Sequence, residues 1–318
     1  MQVSLSIPNQ VLPPGFERTA VVIPAYNESR FIGSVVIQAR RYAATVIVVD
    51  DGSKDDTVMI AETAGAIVIR HAQNAGYGQT LATGFDYARK IEDIDVIVSI
   101  DGDGQHNCNE IPSLVQPILE GKANVVVGSR FLGKKSDIPR WRVFGQQALT
   151  IATNLSSRSS LSDSQSGFRA YSRKTLDALT FDSTDMSISS EIQFLIQQAG
   201  LQVVEVPITV VYEEPAKRNP VMHGLQVLNG IVRLVSAYRP LLFFGGGGLI
   251  VLLGGLAWGG YVVNIYIRSQ TLAIGYTLIS VLLTILGASS LFTGLLLHNL
   301  SSLMRDIKKT IEHTQIKS

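Results

Sequence analysis

Asp101 and Asp103 stand two residues apart, with Gly102 between them and Gly104, Gln105 and His106 following. Hard cations such as Mg2+ and Mn2+ take oxygen ligands and rarely receive a full protein cage, so a pair of carboxylates commonly shares such an ion with the phosphates of a substrate. Glycines beside the acids let a ligand approach the backbone. A calcium-binding EF-hand loop is excluded: counting from Asp101, the position needing Gly holds His106 and the position needing Glu holds Pro112. A plain polar turn is the competing reading of an isolated Asp-x-Asp. It is weakened by a second acidic pair upstream, Asp50-Asp51, followed by Gly52 and Ser53.

Each pair ends an apolar run rich in β-branched residues, 46–49 and 96–100, which reads as a buried strand. In open α/β sheets, ligands bind outside the carboxyl ends of strands. Further strands are expected at 19–23, 66–69 and 125–127, and the second strand extends over 44–49. Helices are expected at 31–42, 57–64, 79–90 and 112–119, the second of them started by Asp55 and Asp56. This alternation implies a parallel sheet wound by right-handed crossovers. No Gly-x-Gly-x-x-Gly follows the first strand, so a dinucleotide-binding reading has little support. From about 133 to 185 the pattern loosens around a basic cluster, Lys134, Lys135, Arg140 and Arg142. A helix at 191–199 and a strand pair at 202–206 and 208–211, broken by Pro207, follow.

The chain has 318 residues and a formal net charge of +1, so electrostatics make no case for nucleic acid as a partner. A single cysteine, Cys108, excludes an internal disulfide framework and suits a reducing compartment. The first twenty residues carry Pro8, Pro13 and Pro14 and no basic-then-apolar sequence, so no signal peptide is expected. Residues 241–267 and 272–297 contain no charged side chain. As helices each reaches roughly 40 Å, enough to cross a ~30 Å hydrocarbon core with tilt. Arg233 and Arg239 precede this pair and Arg305, Lys308 and Lys309 follow it, while the connector 268–271 has only Arg268. That asymmetry places the large N-terminal domain and both termini in the cytoplasm. Residues 221–238 read as an interfacial amphipathic helix. The expected organisation is an extension at 1–18, a catalytic domain at 19–212, a juxtamembrane region at 213–240, the two spans, and a tail at 298–318.

Five segments occur in order: Val21-Val-Ile-Pro24-Ala-Tyr26-Asn27-Glu28, Val48-Val-Asp50-Asp51-Gly52-Ser53, Asn74-x-Gly76-x-Gly78, Asp101-Gly-Asp103-Gly-Gln105-His106 and Val127-Gly-Ser129-Arg130. Together they resemble inverting family-2 glycosyltransferases of GT-A fold, an α/β architecture with a Rossmann-like, mixed and mostly parallel sheet, over most of residues 19–212. Asp163-Ser-Gln-Ser-Gly167-Phe168-Arg169 and the two spans narrow the likeness to polyprenyl-phosphate glycosyltransferases. That group contains dolichyl-phosphate mannose synthases and bacterial bactoprenol glucosyltransferases, and the two-span arrangement is most similar to the latter.

The resemblance implies that Pro24, Ala25, Tyr26 and Glu28 line a nucleoside pocket, the Tyr26 ring packing on the base and Glu28 accepting from a ribose hydroxyl. It implies that Asp51 accepts from the imide N–H of uracil, with Gly76 and Gly102 among the donor-binding positions. Asp103 and Gln105 would be direct ligands of Mg2+ or Mn2+, with Asp101 on the metal through water or on the donor, and Arg130 would grip a phosphate in bidentate fashion. His106 is read as structural. Asp163 matches the family's base position, although a polyprenyl phosphate is already anionic and asks less of a base than a sugar hydroxyl does. Arg140, Arg169, Lys217 and Arg218 offer positive charge to the acceptor phosphate.

The implied reaction is inverting transfer of a hexose, glucose from UDP-glucose, to undecaprenyl phosphate on the cytoplasmic membrane face. Mannose synthases of the group carry a basic-glycine-serine-lysine pattern after the late strands. Here Tyr212-Glu-Glu-Pro-Ala216-Lys217-Arg218-Asn219-Pro220 stands instead, which favours a UDP-sugar over GDP-mannose. A mannose synthase and a non-catalytic nucleotide-sugar-binding scaffold remain the alternatives, with a homo-oligomer and a flippase as open partners. A processive synthase would carry Gln-x-x-Arg-Trp; Pro139-Arg140-Trp141-Arg142 lacks the glutamine.

Overall fold

Val and Ile dominate every strand but β6 in one sheet of β1 (Thr19–Ala25), β2 (Thr45–Asp50), β3 (Ile67–Arg70), β4 (Val96–Ser99), β5 (Val125–Ser129), β6 (Arg169–Ser172) and β7 (Val203–Pro207). This computed structural model describes residues 12–133, 140–157, 159–178, 188–211, 232 and 240–315, divided into one compact unit up to Ile231 and a second from Val232. The spatial order is β3-β2-β1-β4-β6-β5-β7. β1 runs parallel to β2 and β4, with Val22 opposite Ile47 and Ser99, and β7 runs parallel to β5. β6 alone is antiparallel, its Ala170 facing Val98 on one side and Val126 on the other. The sheet is therefore mixed and mostly parallel.

Helices α1 (Ile32–Ala39), α2 (Thr57–Thr63), α3 (Tyr77–Arg89), α4 (Ile111–Leu119), α5 (Arg140–Ser157), α6 (Arg173–Ala178) and α7 (Ile188–Gln198) accompany it. Alternate strand residues face opposite cores. Val21, Ile23, Val48 and Val98 pack with Ile32, Val36, Ile111 and Leu114, while Val22, Ile47, Ile97 and Tyr171 pack with Leu81, Phe85, Ile188 and Ile192. A sheet covered on both faces has no polar side to alternate with, which is why its strands read as unbroken apolar runs.

The stretch expected to lack pattern holds α5, β6 and α6. The expected strand at 208–211 is reduced to a single bridge between Val210 and His106. Lys134, Lys135 and the greater part of the amphipathic segment 221–238 lie outside the described residues.

In the second unit a π-helical stretch, Leu241–Gly246, leads into α8 (Gly247–Ser269), and α9 (Ile274–Gln315) returns. Gln270 closes α8 in the left-handed region at φ 52°. Leu241–Ser269 and Ile274–Leu300 are long and apolar enough to cross a membrane. Their large side chains stay exposed, Ile250 at 74% and Leu278 at 64%, unlike those of a soluble core helix. Glycines bring the two backbones together: a Cβ on Gly248 would lie 2.5 Å from Leu291 N, and one on Gly255 would lie 2.7 Å from Thr284 N. Small residues at such contacts are how helices pack where surrounding lipid removes the hydrophobic drive.

Candidate active site

The carboxyl ends of β1, β2 and β4 carry the expected donor-side residues. Pro24 and Ala25 end β1, and the Ala25 carbonyl accepts from Asp51 N at 2.9 Å. Beyond them the chain turns through Asn27 at φ 54°, a conformation Asn tolerates better than most residues. This turn is stitched to the start of α2. Asn27 N donates to Ser53 Oγ and Glu28 N to Thr57 Oγ1, at 2.9 and 2.8 Å, and Asn27 Oδ1 accepts from Lys54 N. Asp55, rather than the adjacent Asp56, supplies the helix-start acceptor, taking Thr57 N and also Ser29 N. Tyr26 and Glu28 thus sit on a braced loop. Asp50 is fully buried and accepts from Ser53 N, so it orients that loop.

Asp51 is 4% exposed and heavily bonded. Its Oδ1 accepts from Ala75 N at 2.8 Å and lies 2.9 Å from His71 Nδ1, while Oδ2 accepts from Gly76 N at 3.0 Å. Gly76 makes this approach at φ 95°, a conformation that favours glycine. Burial alone would raise the Asp51 pKa, but the Ala75, His71 and Gly76 donors outweigh it and hold the carboxyl below its ordinary value. The second nitrogen of His71 is 3.0 Å from Thr83 Oγ1, which fixes the ring between α3 and the acid.

At the end of β4, Asp101 Oδ1 accepts from the Tyr77 hydroxyl at 2.9 Å, and Oδ2 lies 3.5 Å from His106 Nε2. Burial raises the Asp101 pKa, yet His106 and Tyr77 prevail and lower it. Burial, then the Asp101 charge, pushes the Tyr77 phenol well up, so it remains a donor. Asp103 is the contrasting acid: burial, then Asp101, push it up to about 6, and among the described residues its one bond is from Gln105 N to Oδ1 at 3.0 Å. His106 packs on Phe168 with ring centroids 5.2 Å apart, and its Nδ1 is buried without a partner among the described residues.

Among the described residues no three His, Cys, Asp or Glu side chains gather as a closed metal cage. The chemistry of Asp101, Asp103 and Gln105 nonetheless fits a divalent cation. Two acids crowd one another, and one of them is left under-bonded and hard to ionise until positive charge arrives. Gly167 packs directly on this arrangement: a Cβ there would lie 2.8 Å from Tyr77 Oη and 3.0 Å from Asp101 Oδ2. Gly167→Ala is therefore expected to weaken Mn2+ binding at least about tenfold, since displacing a ligand or its support commonly costs that much. Calorimetric titration checks this; unchanged affinity would detach Gly167 from the site.

Arg130 and Asp163, read as donor-side and acceptor-side residues, meet in one ion pair. Arg130 Nε and Nη2 donate to Asp163 Oδ2 and Oδ1 at 2.6 and 2.7 Å, and Arg130 N reaches Oδ2 at 3.2 Å. Asp163 is completely buried. Its loop hangs from Glu205 on β7, which accepts from Ser162 N and Oγ and from Asp163 N at 2.8 to 3.1 Å. Ser129 Oγ adds a 2.6 Å contact to Ser162.

Arg169 requires a correction. It is 1% exposed, and its guanidinium donates to the carbonyls of Ser164, Ser166 and Ser189. A guanidinium spent on backbone carbonyls inside the protein cannot meet an arriving lipid phosphate; it shapes the Asp163–Gly167 loop instead. Arg140 opens α5, but its side chain, like all of Lys217 and Arg218, lies outside the described residues. Three contributors were not singled out by sequence reasoning. Tyr77 stands at an unspecified position inside the Asn74-x-Gly76-x-Gly78 segment; His71 and Glu205 carry no local signal, because their partners come from other strands and loops.

Comparison with known proteins bears on the family and the fold. The family model described as glycosyl transferase family 2 matches residues 20–180. The UDP-N-acetylglucosamine--dolichyl-phosphate N-acetylglucosaminyltransferase of Methanococcus voltae is 32% identical over 67% of this chain and 94% of its own length. The undecaprenyl-phosphate mannosyltransferase of Micrococcus luteus is 30% identical over 62% of this chain and 85% of its own. Among solved structures, glucosyl-3-phosphoglycerate synthase of Mycobacterium tuberculosis, in complex with Mn2+, UDP and glucosyl-3-phosphoglycerate, superposes with a TM-score of 0.55 at 25% identity. It covers 68% of this chain and 79% of that one. With strand-end acids on a mixed α/β sheet and a family match across half its length, this chain belongs to glycosyl transferase family 2.

Proposed function

We propose that this chain transfers a hexose from a UDP-sugar to polyprenyl phosphate with inversion, at the cytoplasmic face of a membrane crossed by α8 and α9. The observation that carries the reading is the pairing of an under-bonded acid, Asp103, with a bonded one, Asp101, at a strand end beside the braced Tyr26–Glu28 loop. Relatives acting on dolichyl and undecaprenyl phosphates support the acceptor class. The two long apolar helices support an acceptor that is itself a lipid.

In this reading Asp103 and Gln105 would hold Mg2+ or Mn2+, with Asp101 kept in place by Tyr77. A cation bound there would supply Lewis-acid neutralisation of the diphosphate as it departs. Tyr26, Glu28 and Asp51 orient the nucleoside. Arg130, locked by Asp163, provides fixed positive charge felt as far as Asp101. The acceptor phosphate arrives ionised, so its oxygen attacks the anomeric carbon in line with the leaving group without first losing a proton.

Incubating the purified protein with Mg2+, polyprenyl phosphate and radiolabelled UDP-glucose, UDP-N-acetylglucosamine or GDP-mannose, followed by lipid extraction, tests the proposal. Label should enter the lipid phase from a UDP-sugar. Label from GDP-mannose alone would establish the mannose-synthase alternative that the Micrococcus luteus relative represents, and label from none of the three would leave a binding scaffold.

A further inference from the structure

Asp51 has more hydrogen-bond partners than holding a loop requires, and their arrangement decides what else it can bind. A carboxylate offers about four acceptor positions, two on each oxygen. Oδ1 is filled by Ala75 N at 2.8 Å and His71 Nδ1 at 2.9 Å. Oδ2 holds Gly76 N at 3.0 Å. One position remains, on Oδ2. Two of the three donors are backbone N–H groups, set by the turn that precedes α3. The third is a side chain, and its ring is held from behind by Thr83 Oγ1, 3.0 Å from its other nitrogen. The His71 backbone is fixed too, its N–H donating to the Asp50 carbonyl at 2.8 Å. His71 is thus held so that its Nδ1 occupies the second acceptor position of Oδ1.

We propose that His71 is a specificity-determining residue of the donor site: by filling Oδ1 it turns Asp51 into a reader of one N–H and a rejector of two. The inference rests on the reading that Asp51 faces the nucleobase. Uracil presents a single donor there, its imide N3–H, which the one open position satisfies. Guanine presents two parallel donors, N1–H and the N2 amino group. A carboxylate binds that pair as a fork only when each oxygen has an acceptor position to give. With Oδ1 full, the guanine amino group would be buried unpaired, and a polar group left without a partner is what makes a hydrogen-bonding site discriminate strongly. Hypoxanthine, the base of IDP, has the size of guanine and the N1–H but no amino group, so it separates donor number from bulk.

The test uses the full-length protein in detergent with Mn2+, titrated calorimetrically with UDP, GDP and IDP. The wild type should bind UDP most tightly and IDP about tenfold or more tighter than GDP, the scale of one unpaired polar group. His71→Leu empties a position on Oδ1 and should bring GDP and IDP within about threefold of each other. His71→Asn keeps an N–H donor near the place of Nδ1 and should retain the wild-type preference. If His71→Leu fails to fold, Thr83→Val, which frees the ring, should narrow the IDP preference instead. Equal binding of GDP and IDP by the wild type would overturn the proposal, as would a preference that survives in His71→Leu or, failing that variant, in Thr83→Val. Absence of UDP binding by folded protein would overturn the donor-site reading beneath it. Nucleotide selectivity as expected, with no label entering lipid, would instead sink only the transfer reaction.

Discussion

Asp103→Asn is expected to lower kcat by about 10²–10³, the range seen when one preorganised electrostatic contact to a developing charge is lost. The substitution preserves shape and removes the charge of the acid least committed to the protein, whose one bond among the described residues is from Gln105 N. Asp101 is already engaged by Tyr77, so it cannot swing over to compensate. Two titrations separate this from a general structural defect. The first is metal binding against pH. Asp103 keeps its proton up to about pH 6, chiefly because it is buried and then because Asp101 repels its charge. Proton and cation compete for the same oxygens, so the apparent Kd for Mn2+ should rise by about tenfold per pH unit below about 6 and level off above it. The second is stability without metal. A carboxyl whose folded pKa lies above its unfolded 3.8 favours the fold while protonated and loses that contribution as pH rises through about 6. Metal-free Asp103→Asn should therefore melt higher than metal-free wild type at pH 8, with the two converging near pH 4. A variant that binds Mn2+ normally, or that melts lower at pH 8, would show that Asp103 is not the strained acid of the site.

How much of this site could be read from the chain depended on how local each signal is. Asp51, Asp101 and Asp103 were legible because β-branched runs announce β2 and β4, which are covered on both faces, and the acids follow where those runs stop. The segments around Asn27 and Gly76 were legible as donor-side only through the resemblance of their motifs to the family, not through strand patterning. β6 was not: Arg169-Ala-Tyr-Ser172 has no apolar alternation and gains its place by pairing with β4 and β5, both distant in sequence. Arg169 was misplaced because a charged side chain suggests an exposed one, whereas backbone carbonyls that can satisfy a buried guanidinium leave no mark in a residue pattern. His71 and Glu205 were overlooked for the converse reason. Each is an isolated polar residue whose importance appears only when its partner, Asp51 in one case and the Ser162–Asp163 backbone in the other, is brought beside it.

Asp163→Asn is expected to lower kcat by about 10² while leaving the Kd for UDP within about threefold, the signature of a group that acts on the acceptor side. Its pairing with Arg130 makes that loss an expected joint one. Both Asp163 oxygens are taken by Arg130, through two side-chain bonds and a third from its backbone N–H, and the carboxylate is sealed from solvent. An acid held this way shapes the position of its cation, and in the proposed reaction an already ionised acceptor phosphate would draw on that cation more than on a base. Arg130→Lys retains charge but loses the fork, so it should cost kcat by a similar factor. The double variant should then be little worse than the poorer single one, because groups that act as a unit lose their joint effect once. Removing one partner of a buried pair also destabilises, by about 3–5 kcal/mol, so melting curves must confirm that each variant is folded at the assay temperature. If the two losses multiply, Asp163 and Arg130 work separately and Asp163 returns to consideration as a base. If UDP binding collapses in Asp163→Asn, the pair belongs to the donor. A kcat that survives both substitutions would leave the ion pair a brace for the loop that Glu205 suspends.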